Sequence, residues 1–158
     1  MTVDGTDFKI KEPHPFSTSW WSHKYNGPAV RYEVGVSIEG WIVWVNGPYP
    51  AGSWPDLVIA QHILPNALLP GEQYIADDTY RTAEALLPED AATVEEYHFM
   101  AAARARHEQV NRLFKFFKIV ADRFEWKVIK HGLFMHLVAN IVQLGLMTGE
   151  FQVDCVLE

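Results

Sequence analysis

An α/β fold, with mixed strands carrying helices on their faces, is predicted by three observations. Apolar side chains alternate at positions 32, 34, 36 and 38, and a β-branched and aromatic run follows at 41–45. Two long stretches, 93–123 and 131–147, repeat their apolar residues at helical spacing instead. Strands interspersed with helices of this kind pack as an α/β layer structure.

The elements follow in order. A short first strand opens the chain, with Asp4 in it or just after it. Residues 31–38, Arg-Tyr-Glu-Val-Gly-Val-Ser-Ile, have the period of a strand with one buried face. Glu39-Gly40 is the turn, and Trp41-Ile42-Val43-Trp44-Val45 suits a partner strand buried on both faces that Asn46-Gly47-Pro48 ends. Pro55 starts a helix over 55–64 through Leu57, Ile59, Ala60 and Ile63, stopped by Pro65. After the turn Leu69-Pro70-Gly71, residues 73–77 form a short strand finishing in Asp77, and the polar, proline-broken segment 81–92 is a loop. In the long helix 93–123 the core stripe is Val110, Leu113, Phe114, Phe117 and Ile119/Val120. The last helix, 131–147, carries Leu133, Phe134, Leu137, Val138, Ile141 and Leu144, with Gly149 near its end.

At 158 residues, 49% hydrophobic and 21% charged, the chain fits a single globular domain over 1–158. Its 20 acidic against 13 basic residues give a net charge of -7, the wrong sign for gripping a polyanion over the whole surface, so any contact with nucleic acid is local. One cysteine, Cys155, excludes an internal disulfide and a cysteine-rich zinc site, leaving oxygen or histidine ligands for any metal. No run approaches about 18 uninterrupted apolar residues and the first residues lack a signal-peptide pattern, so a soluble intracellular protein is expected.

Three acids stand out by position: Asp4 at the first strand, Asp77 at the end of a later strand, and Glu108 inside the long helix. Carboxylates gathered from separate elements are the usual protein share of a Mg²⁺ site, and phosphodiester chemistry uses such ions in pairs. Spacing alone equally allows three solvated surface acids. Arg104, Asn111, Arg112 and Lys115 share the helix side of Glu108, which suits a phosphate track or a solvated face with i,i+4 pairs worth a few tenths of a kcal/mol each. His23 and Lys24 suit phosphate contacts or a solvated loop, and His107 suits a site role or a buried packed imidazole. Asp56 is explained by the dipole of the helix it begins. Trp20-Trp21 and the Trp41/Trp44 pair read as packing, not as base-stacking platforms.

Asp4-Gly5-Thr6-Asp7-Phe8, Trp21-Ser22-His23-Lys24-Tyr25-Asn26-Gly27-Pro28, Arg31-Tyr32-Glu33-Val34-Gly35, Trp44-Val45-Asn46-Gly47-Pro48 and Trp54-Pro55-Asp56-Leu57 together resemble the DDE superfamily endonucleases of PIF/Harbinger-type transposons. The resemblance continues through Ala76-Asp77-Asp78-Thr79-Tyr80 and Arg104-Ala105-Arg106-His107-Glu108, and so covers essentially the whole chain. It implies a ribonuclease-H-like fold, Mg²⁺ or Mn²⁺ held by Asp4, Asp77 and Glu108, DNA cleavage or strand transfer at transposon ends, and work in the nucleus. Two departures accompany it. Thr79 stands where the pattern has a glycine, so strain is expected in a turn that wants positive φ. The sequence begins three residues before Asp4, without the helical DNA-binding region the resemblance implies upstream, so a fragmentary or domesticated copy is expected, with DNA affinity supplied by a separate DNA-binding protein or a lost domain. A non-cutting, transposase-derived binding or scaffold protein is the alternative the resemblance leaves open.

Overall fold

The computed structural model describes residues 1–152, so Cys155 lies outside the described residues. Strand β1 (Thr2–Lys9) pairs antiparallel with β3 (Gly27–Val36) along its full length, from Thr2 opposite Val36 to Lys9 opposite Ala29. On the far edge of β3 lie the two-residue β2 (Trp21–Ser22) and the hairpin strand β4 (Ile42–Pro50), both antiparallel to it. On the other side β1 pairs parallel with β5 (Tyr74–Ile75), and β5 pairs parallel with β6 (Ala85–Leu86). The result is a six-stranded mixed sheet with helices on its faces, an α/β fold of ribonuclease-H-like kind.

Alternation along β1 and β3 decides what covers each face. Phe8, Val30, Tyr32, Val34 and Val36 pack against Val110 and Phe114 of α2 (Val94–Phe114) and Met135, Val138 and Val142 of α4 (Val128–Thr148). Each such side chain, fully withdrawn from water, contributes roughly 1.5–3 kcal/mol of transfer free energy. On the opposite face Val3 packs with Ala60 and Leu64, in and after α1 (Asp56–His62), and with Tyr74, Ala76 and Tyr80. β3 is therefore covered on both faces, and even Glu33, which the alternation assigns to an open face, is 0% exposed.

Local chemistry sets the helix ends. Thr93 accepts from the Glu96 N–H while the Glu96 carboxylate accepts from the Ala92 N–H, fixing the start of α2. Instead of running to 123, α2 stops at Phe114: the N–H groups of Lys115, Phe116 and Phe117 turn to carbonyls three residues back. A separate α3 (Lys118–Ala121) then tucks Val120 into the core that Val110 and Phe114 occupy, while Ile119 is left 38% exposed. Gly149, at φ +76°, caps α4 in the left-handed conformation.

Several expectations need correction. β4 continues through Asn46-Gly47-Pro48, because on an edge the missing Pro48 N–H leaves no ladder bond broken. Being at an edge, it is also not buried on both faces: Trp41 and Val43 are 46% and 55% exposed. The segment 81–92 holds β6, which completes the sheet. In α4, Leu133, Leu137, Ile141 and Leu144 face outward, and the buried side is His131, Gly132, Met135, Val138, Ala139, Val142 and Gly145. By length and composition α4, with mean hydropathy 1.2, is long and apolar enough to cross a membrane, yet its inner side is a wall of the core.

Candidate active site

Asp4 sits mid-β1 on the face that α2 covers, and two donors fix its carboxylate. The Gly5 N–H reaches Oδ1 at 2.8 Å and the Asn111 amide Nδ2 of α2 reaches Oδ2 at 2.9 Å. A carboxylate only accepts, so the Asn111 amide orientation is determined, and this bond registers α2 against β1. Burial, then Asp56, then Asp77 push the Asp4 carboxyl up to about 6, against the pull of the Gly5 N–H and of Lys24.

Asp56 reaches this neighbourhood from the other face of the sheet. It begins α1, and it comes so close to β1 that a Cβ on Gly5 would lie 1.9 Å from its Oδ1. Glycine is the one residue that leaves room there. Burial raises the Asp56 carboxyl; Arg31, whose Nη1 stands 3.4 Å away, pulls it down, and Asp7 and Asp77 push it back up. Arg31 is already engaged by Asp7 through Nε–Oδ1 at 2.7 Å and Nη2–Oδ2 at 3.1 Å, with the Ser22 hydroxyl also donating to Asp7 at 2.7 Å. Arg31 thus serves Asp7 and Asp56 together, whereas the cation that offsets the rise of Asp4 is Lys24. The sequence explains Asp56 as a helix-start acid and carries no signal of its nearness to Asp4, which exists only in the contact of α1 with Gly5 of β1.

Asp77 follows β5 and caps the turn Asp78–Tyr80, its Oδ1 accepting from the Thr79 N–H at 3.0 Å and from the Thr79 hydroxyl. Thr79 therefore steadies Asp77. It is not among the positive-φ residues, so the strain expected from replacing glycine does not arise. On the cavity side, Arg104 of α2 approaches Asp77 Oδ2 at 3.9 Å.

Glu108 is an exposed residue of α2. One small cavity, of about 20 Å³, is lined by Thr2, Val3, Asp4, Asp77, Arg104, His107 and Glu108 together. His107 is held low, to about 4, by burial first, against a Thr2 backbone hydrogen bond and with Arg104 adding to the depression. Lys115, at the end of α2, is lowered by burial and then by Lys24, while Asp4 and Asp7 act the other way, so both lysines stand within electrostatic range of the acids. His23 and Arg112 are exposed and lie outside the cavity lining. Behind Asp56, burial pushes Glu33 up to about 7, against the Trp44 indole N–H that donates to it at 3.0 Å and with the Asp56 charge adding to the rise.

The donor chemistry suits a hard divalent cation: oxygen ligands, an Asp4 carboxyl raised by burial and then by the neighbouring acids Asp56 and Asp77, and a cavity lined by Asp4, Asp77 and Glu108. Side-chain convergence is partial, because among the described residues no three Asp, Glu, His or Cys side chains stand close enough to chelate one ion. Asp77 is turned into its own loop and toward Arg104. Among known families, the model for "DDE superfamily endonuclease" matches residues 3–144. Neither a curated protein nor a solved structure matches the chain.

Proposed function

The chain belongs to the DDE superfamily endonucleases, and from that premise we propose that it is a divalent-metal-dependent nuclease of the PIF/Harbinger transposase type, cutting phosphodiester bonds at transposon ends. The family makes DNA the substrate and phosphodiester cleavage the reaction. The observation that carries the finer reading is the single cavity lined by Asp4, Asp77 and Glu108, acids from a strand, a strand end and a helix. These three would hold Mg²⁺ or Mn²⁺, with Asp56 adding negative charge beside Asp4. A bound cation supplies an activated water and neutralises charge on the scissile phosphate.

The protein's own residues supply position. Asn111 fixes the Asp4 carboxylate, Thr79 fixes Asp77, and α2 brings Glu108 to the cavity they line. Lys24, Lys115, Arg104, Arg112 and His23 are the proposed phosphate contacts. Because the net charge is -7, the isolated chain is expected to bind duplex DNA weakly and with steep salt dependence, and a separate DNA-binding protein is the proposed partner in the nucleus. The test is cleavage of an end-labelled transposon-end duplex under Mg²⁺ and Mn²⁺ titration, with and without the partner. Cleavage that Asp4→Asn and Glu108→Gln both abolish supports the reading; a wild type that cuts at no metal concentration refutes it.

A further inference from the structure

The outward side of α4 serves neither the core nor the acids. Ile129, Leu133, Leu137, Ile141, Leu144 and Met147 are between 41% and 70% exposed. At 100° and 1.5 Å per residue they fall within one third of the helix circumference and run about 27 Å along it. Their exposed fractions leave roughly 700 Å² of apolar surface in one strip, above the about 300–600 Å² of the largest patch on an ordinary monomer and near the ~800 Å² that each partner gives to a specific interface. Val43 of β4, 55% exposed, widens the strip across a shallow groove it lines with His136 and Asn140.

The chemistry of the strip narrows its partner. Between His131 and Gly149 the sequence holds no Asp, Glu, Lys or Arg, so there is no fixed cation for a phosphate backbone. Three polar side chains there are spent within the fold: Asn140 Nδ2 donates to the His136 carbonyl at 2.8 Å, the Thr148 hydroxyl to the Leu144 carbonyl at 3.0 Å, and Gln143 Oε1 accepts the Ile42 N–H at 2.7 Å. A lipid surface fits poorly, because a helix lying in it backs its apolar face with a cationic one, whereas α4 is backed by Met135, Val138 and Val142 in the core. What fits is another apolar helix face.

Every copy of this chain carries one, and its pattern is close to its own mirror image. Positions 138–139 divide Leu137 from Ile141; about that point Leu133 answers Leu144, and Ile129 answers Met147 to within a residue. The charges mirror about the same point with opposite sign: Lys127 stands as far before it as Glu150 stands after it, and both are exposed, as is Lys130. Turned antiparallel about a two-fold axis at this point, two copies of α4 set leucine on leucine and bring each Lys127 to the partner's Glu150, beside last-turn carbonyls that also favour a cation. A parallel pair would oppose like charges at both ends.

We infer that α4 is the interface of a symmetric dimer, formed by antiparallel packing of this strip on the same strip of a second copy of the chain. Sedimentation of the full chain across the micromolar range should show that dimer. Leu137→Asp puts a charge at the centre of the strip, at a position exposed in the single copy, and should weaken the dimer by about thirtyfold or more while circular dichroism stays unchanged. Glu150→Lys should weaken it by about 2–5-fold, and adding Lys127→Glu to that variant should restore it, because the end pairs then re-form in reverse. That restoration requires a second copy in this orientation and no other occupant. A monomer at every concentration overturns the inference, whether added phosphatidylcholine vesicles or the chain's own residues 153–158 take the strip. So does a dimer that Leu137→Asp leaves intact, or a double reversal no tighter than the single one.

Discussion

Replacing Asp4 by asparagine should change the sign of its effect on stability between pH 4 and pH 8. The folded carboxyl sits at about 6 against 3.8 for the ordinary group, a difference of about 2 units, or roughly 3 kcal/mol at 1.36 kcal/mol per unit. Because the folded value is the higher one, the folded state holds the proton more tightly. Below 3.8 both states are protonated and nothing is lost; between 3.8 and 6 stability falls as pH rises, and above 6 the whole penalty applies. The Asp4→Asn side chain escapes that penalty but serves only one of the two donors, Gly5 N–H and Asn111 Nδ2, that Asp4 satisfies, a loss of about 1–1.5 kcal/mol at every pH. The variant should therefore be less stable than wild type by about 1 kcal/mol at pH 4 and more stable by about 1–2 kcal/mol at pH 8. In a chain of this size that is a rise in Tm of roughly 2–8 °C. Urea denaturation followed by the fluorescence of the six tryptophans, at pH 4, 6 and 8, measures it. A stability difference that is the same at all three pH values would show that Asp4 is not held above its ordinary range, and the electrostatic account of the site would fall.

Other perturbations read neighbouring parts of the same structure. Glu33 is also raised, to about 7, so its penalty likewise grows as pH rises toward 7; Glu33→Gln should stabilise at pH 8 by about 1–3 kcal/mol and change little at pH 4, with no response to Mn²⁺, as denaturation with and without the ion will show. Gly5→Ala would drive a methyl into Asp56 and should lower Tm and blunt any Mn²⁺-induced stabilisation, which thermal scans check; a variant matching wild type in both would mean that Asp56 is free to move away. Arg31→Met leaves Asp7, 2% exposed, without its cation and should destabilise by about 3–5 kcal/mol in urea melts near neutral pH. Duplex binding by the isolated chain should weaken steeply between 50 and 200 mM salt, about tenfold or more for each two or so phosphates contacted, in fluorescence anisotropy; tight binding that ignores salt would contradict the local-contact picture.

Periodicity revealed the elements that carry it. The β3–β4 hairpin, α1, β5, the start of α2 and α4 stand within a few residues of where the apolar spacing puts them, while α2 ends at Phe114 although its stripe runs on to Val120 in the separate α3. What it does not encode is partnership. β6 is two residues, Ala85-Leu86, made a strand only by pairing with β5. In α4 both sides are apolar, so spacing announced a helix without saying which side the sheet would take. Glu33 looked like the open side of an alternating strand because nothing local reveals that α1 and the turn after Asp77 close over it. At the site, Asp4, Asp77 and Glu108 were nameable from motifs, whereas Asp56 and Asn111 become visible only once Gly5 and β1 lie beside them in space.

The carboxylates that crowd this site come from β1, the first turn of α1, the end of β5 and the middle of α2, and they approach β1 from both sides of the sheet. No short stretch of chain owns more than one of them. Half-made chains and proteolytic fragments thus hold only some of the acids: the parallel β1–β5 contact brings Asp77 to β1, while the packing of α2 and α1 on its two faces brings Glu108 and Asp56. For a molecule whose family cuts genomes, that arrangement is a safeguard written into topology: the set of acids is complete only where β1, α1, β5 and α2 have all come together.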